Sequence, residues 1–199
     1  MQVVGRFAPS PSGRMHLGNV FSALLAWLSV RAAGGKMVLR IEDLDPDRCR
    51  PEYAAQLRED LLWLGLDWDE EQTPQSKKSA DYAAAFEKLR ARGLVYPCYC
   101  SRAQLHAASA PHAADGQAVY PGTCRKLTDA QRAAMTKPPA WRLIVPDEEI
   151  AFTDGVQGVY SENLARDCGD FILRRADGVY AYQLAVVYDD AEAGVTQVV

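Results

Sequence analysis

A proline- and glycine-rich turn near the start of the chain constrains the fold more than any other stretch. The turn covers residues 6–19 and joins a short apolar start, Val3 and Val4, to an apolar-periodic segment from Val20 to Ala32. Its prolines and glycines favour a sharp bend, so we predict a strand, a tight turn and a helix. Gly18, at the helix entry, lets a planar ligand approach the main chain, and an open helix N-terminus attracts phosphate.

A second strand follows the first helix. Residues 37–41 read as a buried strand, which completes a strand-helix-strand unit with parallel strands and a right-handed crossover. Ligands of such sheets lie beyond the carboxyl ends of the strands, where we expect residues 6–10 and Glu42. Carboxylates after a strand also serve as turn or helix-capping residues, and this alternative stays open for the acidic cluster of Glu42, Asp43, Asp45 and Asp47.

Hydrophobic spacing and turn signals predict the remaining elements. Helices are predicted over 51–64, 79–92 and 127–135, the last with Thr128 as its N-cap, and strands over 140–145 and 150–152. Segments 169–175 and 179–187 flank Ala176-Asp177-Gly178 as the arms of a hairpin. The stripe of Tyr82, Phe86 and Leu89 is typical of core packing, as is Tyr180.

Composition and charge limit the function classes. The 199 residues are 48% hydrophobic and 24% charged, as in an ordinary globular protein. The sequence has neither an apolar run of about 18 residues nor a signal peptide, so we expect a cytoplasmic protein with no membrane partner. A net charge of -4 argues against a broad nucleic-acid-binding face, although paired basic residues such as Arg174 and Arg175 leave room for local patches.

The spacing of the cysteines suggests a metal site. Cys98 and Cys100 lie one residue apart, and Cys124 follows a Pro-Gly turn, so these three could form three corners of a zinc tetrahedron. The fourth corner has three candidates, Tyr120, His106 and His112. The alternative is a group of reduced, partly buried thiols. Cys49 and Cys168 stand apart and are predicted to be small apolar fillers.

Two motifs resemble those of a known enzyme family. Arg6-Phe7-Ala8-Pro9-Ser10-Pro11-Ser12-Gly13, followed by His16-Leu17-Gly18-Asn19, resembles the nucleotide-binding motif of class I aminoacyl-tRNA synthetases of the glutamyl branch. The family pattern has a second histidine where this chain has Asn19, which is a neutral hydrogen-bond donor. Arg40-Ile41-Glu42-Asp43-Leu44-Asp45 matches the glutamyl motif residue for residue.

Further residues are similar to one subgroup, the glutamyl-queuosine tRNA(Asp) synthetases. The similarity lies in Pro11-Ser12-Gly13, in the run from Tyr182 to Val187 and in the cysteine spacing. In that subgroup the fourth zinc ligand is the tyrosine four residues before the last cysteine. The resemblance therefore implies a structural zinc ion held by Cys98, Cys100, Tyr120 and Cys124.

The resemblance also implies a reaction and a set of site residues. Glutamate would be activated by ATP with Mg²⁺ to glutamyl-adenylate, without tRNA, and transferred to the queuosine base of tRNA(Asp) by a monomeric enzyme. The residues implied for ATP are Pro9, His16, Gly18 and Asn19, with His16 and Asn19 catalytic. Those implied for glutamate are Arg6, Phe7, Ala8, Pro9, Ser10, Glu42 and Tyr182.

The expected fold is α/β, a Rossmann-like class I synthetase catalytic domain with a small zinc-bearing α+β insertion. Residues 1–97 would form the first Rossmann half, 98–180 the insertion and 181–199 the start of the second half. Glutamate-specific family members continue with an arginine directly after the position of Val199 and later carry a Lys-Leu-Ser-Lys-type loop. We therefore expect the chain to be a piece of a longer protein, rather than a naturally incomplete one.

Two other functions remain open at this stage. One is the catalytic part of an ordinary glutamyl-tRNA synthetase, which charges the 3′ end of its tRNA. The other is a non-catalytic paralogue that binds a nucleotide or tRNA, for which the missing lysine loop is the sequence argument.

Overall fold

The computed structural model describes residues 2–101 and 119–199, which form two compact units. Unit 1 comprises Met1–Ala85 and Tyr182–Val199, and unit 2 comprises Phe86–Ala181. The domain boundaries expected from the sequence, after residues 97 and 180, stay a prediction. Within the described residues, no helix is both long and apolar enough to cross a membrane.

Strands and helices alternate through the first part of the chain and strands dominate the second. In chain order the elements are β1 Val4–Phe7, α1 Leu17–Ala32, β2 Lys36–Leu39, α2 Pro51–Trp63, β3 Glu70–Glu71, a 3₁₀ turn Gln75–Lys77, α3 Ser79–Ala91, β4 Val95–Cys98, α4 Asp129–Ala133, β5 Ala140–Leu143, β6 Glu149–Asp154, β7 Gly158–Asn163, α5 Leu164–Asp167, β8 Ile172–Arg174 and α6 Tyr182–Glu192.

A parallel sheet organises unit 1. Its strands are ordered β1-β2-β3, all parallel, and Gln197 forms a further parallel bridge to Gly5 on the free side of β1. The predicted strand-helix-strand unit is thus confirmed. Helix α1 packs closely on β1, because a Cβ at Gly5 would lie 2.2 Å from Cγ2 of Val30. Only glycine permits this approach of strand to helix.

The core of unit 1 lies between this sheet and helices α1 and α2. One cluster of buried side chains contains Ala23, Leu39, Ile41, Leu57, Leu61 and Leu66, and a second contains Ala26, Val30 and Met37. Strand β2 is buried on both faces, which explains why its sequence is a continuous apolar run rather than an alternating one.

A network of buried polar and charged groups connects helix α6 to the 3₁₀ turn and the start of α3. The Asp189 carboxylate is fully buried and accepts hydrogen bonds from Gln75 Nε2 at 2.8 Å, Lys78 Nζ at 2.6 Å and the Tyr82 hydroxyl at 2.9 Å. Burial and the Asp189 carboxylate raise the pKa of the Tyr82 hydroxyl, so Tyr82 stays a neutral donor. Because the buried charges are paired and bonded, the network can exist in an apolar core.

The prediction of a strand for the second arm of the hairpin, residues 179–187, is wrong. Arg174 and Tyr180 do pair across the turn, but residues from Tyr182 onward form helix α6, not a strand. Leu184, Ala185 and Asp189 are buried while Tyr182 is exposed, which is a helical arrangement. A short apolar run is compatible with either a buried strand or a buried helix, and the helix observed here brings Asp189 to Gln75, Lys78 and Tyr82.

Unit 2 contains a three-stranded antiparallel sheet, β4-β5-β8, and a separate hairpin of β6 and β7. The sequence analysis predicted β5 and β6 but not β7. The Thr128 cap is confirmed, since its hydroxyl accepts from Gln131 N and Gln131 Oε1 accepts from Thr128 N. The predicted α/β class, with a β-rich second region, is therefore the class observed.

Replacing Asp189 with alanine tests the buried network. We expect Asp189→Ala to lower the free energy of unfolding by about 3–5 kcal/mol, because it breaks the buried ion pair with Lys78 and removes the carboxylate that accepts from Gln75 and Tyr82. Urea unfolding followed by circular dichroism gives this value. The control is Glu87→Ala, which breaks an exposed pair with Arg90 of similar length and should cost less than about 1 kcal/mol. Equal losses in the two variants would contradict the expectation.

Candidate functional site

The turn before α1 ends in a histidine that caps the helix. Nδ1 of His16 accepts a hydrogen bond from Gly18 N at 3.1 Å, and Asn19 Oδ1 accepts from His16 N at 3.1 Å. This reciprocal capping starts the helix at Leu17, three residues before the predicted start. The sequence analysis missed it because histidine is not among the preferred capping residues.

The capping bonds determine which donors are available at this helix end. Because Nδ1 of His16 is an acceptor, the neutral imidazole carries its hydrogen on Nε2. Asn19 uses only its oxygen in the cap, so its amide group keeps its donors for other groups. A Cβ at Gly18 would lie 3.0 Å from Cε1 of His16, which explains the glycine at this position. The arrangement presents hydrogen-bond donors at a positive helix end.

A cavity of about 200 Å³ opens at the carboxyl ends of the strands in unit 1. Three of the predicted site residues, Ser10, Glu42 and Tyr182, line it. Residues that the sequence analysis did not assign to a site also line it: Ser12, Leu44, Asp45, Arg48, Cys49 and Gln75. The cavity therefore combines carboxylates, a guanidinium and hydroxyl groups, as a small zwitterion would require.

Glu42 is held in this cavity by a buried arginine. Nε and Nη2 of Arg40 donate to Glu42 Oε1 at 3.3 and 3.0 Å, and the Arg40 side chain has no exposed surface. Burial raises the pKa of the Glu42 carboxyl, although Arg40 acts in the opposite direction. Burial lowers the pKa of Arg40, but Asp190 and Glu42 outweigh that effect and raise it. Arg40 thus remains a fixed positive charge beneath the cavity.

Arg6 and Arg40 share one carboxylate. Nη1 of Arg40 donates to Asp190 Oδ1 at 2.6 Å, and Nε of Arg6 lies 3.4 Å from both Asp190 oxygens. Asp190 on helix α6 thereby links the first strand to the end of the second. The sequence analysis missed Arg40 and Asp190 as site residues. Arg40 is a charged residue within the apolar run of residues 37–41, and this was the signal in the sequence that could have revealed it.

The other predicted contact residues occupy the turn between β1 and α1. Phe7 packs on the apolar clusters of unit 1, so its side chain serves the core. The carbonyl of Pro9 accepts from Glu42 N at 3.0 Å and thereby fixes Glu42 to the turn. Ala8 connects Phe7 and Pro9. Their part in ligand binding stays a prediction, as do the assignments of ATP to His16 and Asn19.

Two of the acids after β2 have the alternative role of stabilising turns. The Asp43 carboxylate accepts from Ser76 N and from its hydroxyl at 2.8 and 2.7 Å. Asp45 Oδ1 accepts from Asp47 N at 3.2 Å. The Glu42 carboxylate, by contrast, is bonded to the buried cation Arg40.

The predicted metal ligands meet in unit 2. The sulfurs of Cys98, Cys100 and Cys124 lie within 4.8 Å of one another, with 3.6 Å between Cys100 Sγ and Cys124 Sγ. The Tyr120 hydroxyl lies 3.4 Å from Cys98 Sγ and 3.9 Å from Cys100 Sγ, and it accepts from Cys124 N at 2.9 Å. His106 and His112, the other candidates for the fourth ligand, lie outside the described residues.

This donor set fits a tetrahedral metal. Zinc-bound sulfurs, each about 2.3 Å from the ion, are about 3.7 Å apart in a tetrahedron, close to the separation of Cys100 and Cys124. Burial raises the pKa of the Cys98 thiol, but bonds to Tyr120 and to the Cys100 backbone outweigh it and the pKa is lowered. Burial, assisted by Cys124, raises the pKa of Cys100 to about 11. The cluster can therefore hold a metal ion.

The isolated cysteines differ from the expectation in one case. Cys49 is half-buried, and its Sγ lies 3.7 Å from the Glu42 carbonyl oxygen. Cys168 is exposed, so its prediction as a buried filler is wrong. It follows helix α5 at the surface, where no core packing requires an apolar side chain.

The comparison with known proteins agrees with this geometry. Residues 2–199 match the family model described as "tRNA synthetases class I (E and Q), catalytic domain". The chain belongs to this family of class I synthetases, which is a family of ligases.

The similar relatives include curated proteins and solved structures. Proteins named "Glutamyl-Q tRNA(Asp) synthetase" from Nitratidesulfovibrio vulgaris and Symbiobacterium thermophilum are 52% and 53% identical to it over 98% of this chain and 64% of their own. The chain thus spans a little under two thirds of their length. A crystal structure of a glutamate tRNA ligase from Elizabethkingia meningosepticum, in complex with its amino acid, is 29% identical with a TM-score of 0.83, covering 100% of this chain and 43% of that one.

Serine substitution tests whether the cysteine cluster holds a metal. We expect the protein purified without chelator to carry about one equivalent of bound metal, and Cys100→Ser to carry less than about half an equivalent, because a thiolate ligand is lost. Elemental analysis measures both. Cys168→Ser, at an exposed cysteine outside the cluster, should retain the wild-type content. Equal metal content in both variants would contradict a site at the cluster.

Proposed function

We propose that this chain is the catalytic part of an enzyme that activates glutamate with ATP and transfers it to the queuosine base of tRNA(Asp). The observation that carries the proposal is the cavity in unit 1, which Glu42, fixed by buried Arg40, lines together with Ser10 and Ser12 of the turn before α1. The relatives at about 50% identity bear the name of such an enzyme, which supports the choice of acceptor. We place the reaction in the cytoplasm, where ATP and tRNA are available.

The first strand and its turn would hold ATP. Nε2 of His16 and the amide of Asn19 would donate to phosphate oxygens at the positive end of α1. Pro9 and Gly18 would form the main-chain wall against which the nucleotide lies. Mg²⁺ bound with ATP would neutralise phosphate charge. Asn19 in place of a histidine keeps a neutral donor at this position, so phosphate binding does not depend on its protonation.

The cavity would bind glutamate by its charged ends. Glu42 faces a ligand as a carboxylate and suits the substrate ammonium group, while Arg6, held through Asp190, suits a carboxylate. Ser10 and Tyr182 would add hydroxyl contacts at the cavity wall. The substrate carboxylate would attack the α-phosphate in line and release pyrophosphate. The work of the protein is then positioning and charge stabilisation.

In unit 2 the metal would be a structural zinc ion. Cys98, Cys100, Tyr120 and Cys124 would be its ligands, which fill all four corners and leave no open position for catalysis. The same side chains form the buried cluster of unit 2, so metal binding and folding of this unit would be coupled.

Transfer of labelled glutamate tests the proposed acceptor. Full-length protein with ATP should label tRNA(Asp) that contains queuosine, and should not label tRNA(Asp) that lacks it. Labelling of tRNA(Glu) at its 3′ end instead would favour an ordinary glutamyl-tRNA synthetase. Failure to label any tRNA would favour a non-catalytic paralogue.

Glu42 is tested by Glu42→Gln, which removes the charge and keeps the shape. We expect the KM for glutamate to rise about ten- to hundred-fold, since a bond to a charged group contributes about 1.5–3 kcal/mol, while the KM for ATP stays the same. Asp43→Asn is the control on the same loop, because Asp43 is bonded to Ser76 rather than to the cavity. A similar glutamate KM in both variants would remove Glu42 from the site.

A pair of variants at His16 separates helix capping from phosphate binding. His16→Asn keeps a good N-cap and loses the imidazole, whereas His16→Ala loses both. We expect both variants to slow adenylate formation more than about tenfold, because a donor to the transferring phosphates is lost. A wild-type rate for His16→Asn with a slow His16→Ala would mean that His16 acts only as a cap.

A further inference from the structure

The argument begins with a buried cation beside the cysteine cluster. In the described part of unit 2, Arg142 and Asp170 are the charged side chains that are buried. Asp170 is well partnered, since it accepts from the Tyr96 hydroxyl at 2.6 Å and Val145 N at 2.9 Å and pairs with Arg125 at 3.3 Å. Its negative charge is therefore compensated by a residue other than Arg142.

Arg142 itself lacks a carboxylate partner within the described residues. Its Nη1 donates to the backbone carbonyl of Asp170 at 2.6 Å, and its Nε is buried without a hydrogen-bond partner. A guanidinium that is 6% exposed and has no carboxylate partner among the residues 2–101 and 119–199 is costly, because desolvation penalises the charge. Something of opposite charge is needed near this residue.

The guanidinium of Arg142 lies next to the predicted metal ligands. Its guanidinium carbon lies 3.8 Å from the centre of the Tyr120 ring. Arg142 on β5 is paired with Tyr96 on β4, so Cys98, two residues along β4, lies on the same face as its diagonal neighbour.

Charge balance connects the buried Arg142 guanidinium with the cysteine cluster. Three thiolates outweigh the two positive charges of a zinc ion and leave a buried excess of one negative charge. We propose that Arg142 is the positioning residue of the metal site, which compensates this charge and holds the Tyr120 ring in place. The proposal rests on the zinc assignment of the proposed function. It gives the buried cation a counter-charge, which no carboxylate of the described part of the chain supplies.

The test measures zinc affinity of the full chain by competition with a chromogenic chelator. Arg142→Met should weaken zinc binding about 10- to 100-fold, as expected when an outer-shell partner of a metal site is lost. Arg142→Lys, which keeps the charge, should weaken it less. The control is Arg174→Met, which removes an arginine that lies 5.5 Å from the Tyr180 ring of the same unit and should leave the affinity unchanged.

A second measurement separates this role from ordinary packing. The difference between the urea midpoints of zinc-loaded and zinc-free protein should shrink in Arg142→Met, because ligand stabilisation depends on affinity. Equal lowering of both midpoints, with unchanged zinc affinity, would overturn the proposal. If Arg142→Met does not fold, Arg142→Gln provides the same neutral comparison.

Failure of the zinc assignment is distinguishable from failure of this inference. A wild-type chain that binds no zinc would overturn both. Wild-type zinc binding together with wild-type affinity in the neutral Arg142 variants would overturn the role of Arg142 alone.

Discussion

The structure of unit 1 depends on the buried charges that meet at helix α6. Asp189 and Asp190 are adjacent in sequence, yet they serve different purposes: Asp189 bonds to Lys78, Gln75 and Tyr82, and Asp190 bonds to Arg40 and Arg6. Such burial is unfavourable unless each charge is paired and hydrogen-bonded. Because the partners lie on β1, directly after β2 and within residues 75–82, the network fixes the position of α6 on the sheet and of the cavity residues above it.

These ion pairs explain how a sheet with an apolar, buried strand β2 can carry a polar site at its edge. The buried Arg40 guanidinium holds Glu42 in place, and Asp190 orients Arg6. Because Arg40 and Asp190 are themselves an ion pair, this one pair fixes both groups that are proposed to meet the ends of glutamate. Binding groups that are held before the ligand arrives lose less conformational entropy on binding. In unit 2 thiols and aromatic rings form a buried cluster, and a metal bound there would contribute to the stability of this unit.

Local signals in the sequence predicted a large part of this structure. The Thr128 cap, the parallel strand pair and the meeting of three cysteines with Tyr120 all follow from spacing, turn chemistry or family resemblance. Two features were not accessible. Helix α6 was read as a strand because an apolar run has no decisive period, and the ion network that selects the helix joins residues more than a hundred positions apart.

The candidate site shows the same limit. Motifs indicated Glu42 and His16, but the partner of Glu42 and the capping role of His16 depend on three-dimensional contacts. Arg142 illustrates the point in unit 2, since its place in an apolar strand can suggest burial but not its contact with the Tyr120 ring.

The most direct test of the account is the exchange of pyrophosphate into ATP by full-length protein in the absence of any tRNA. The account predicts exchange that depends on glutamate and is not supported by glutamine, because Glu42 in the cavity and Arg6, bonded to Asp190, are proposed to meet the ammonium and carboxylate groups of glutamate. Exchange that appears only after tRNA is added, or that never appears, would contradict the claim that this cavity activates glutamate by itself.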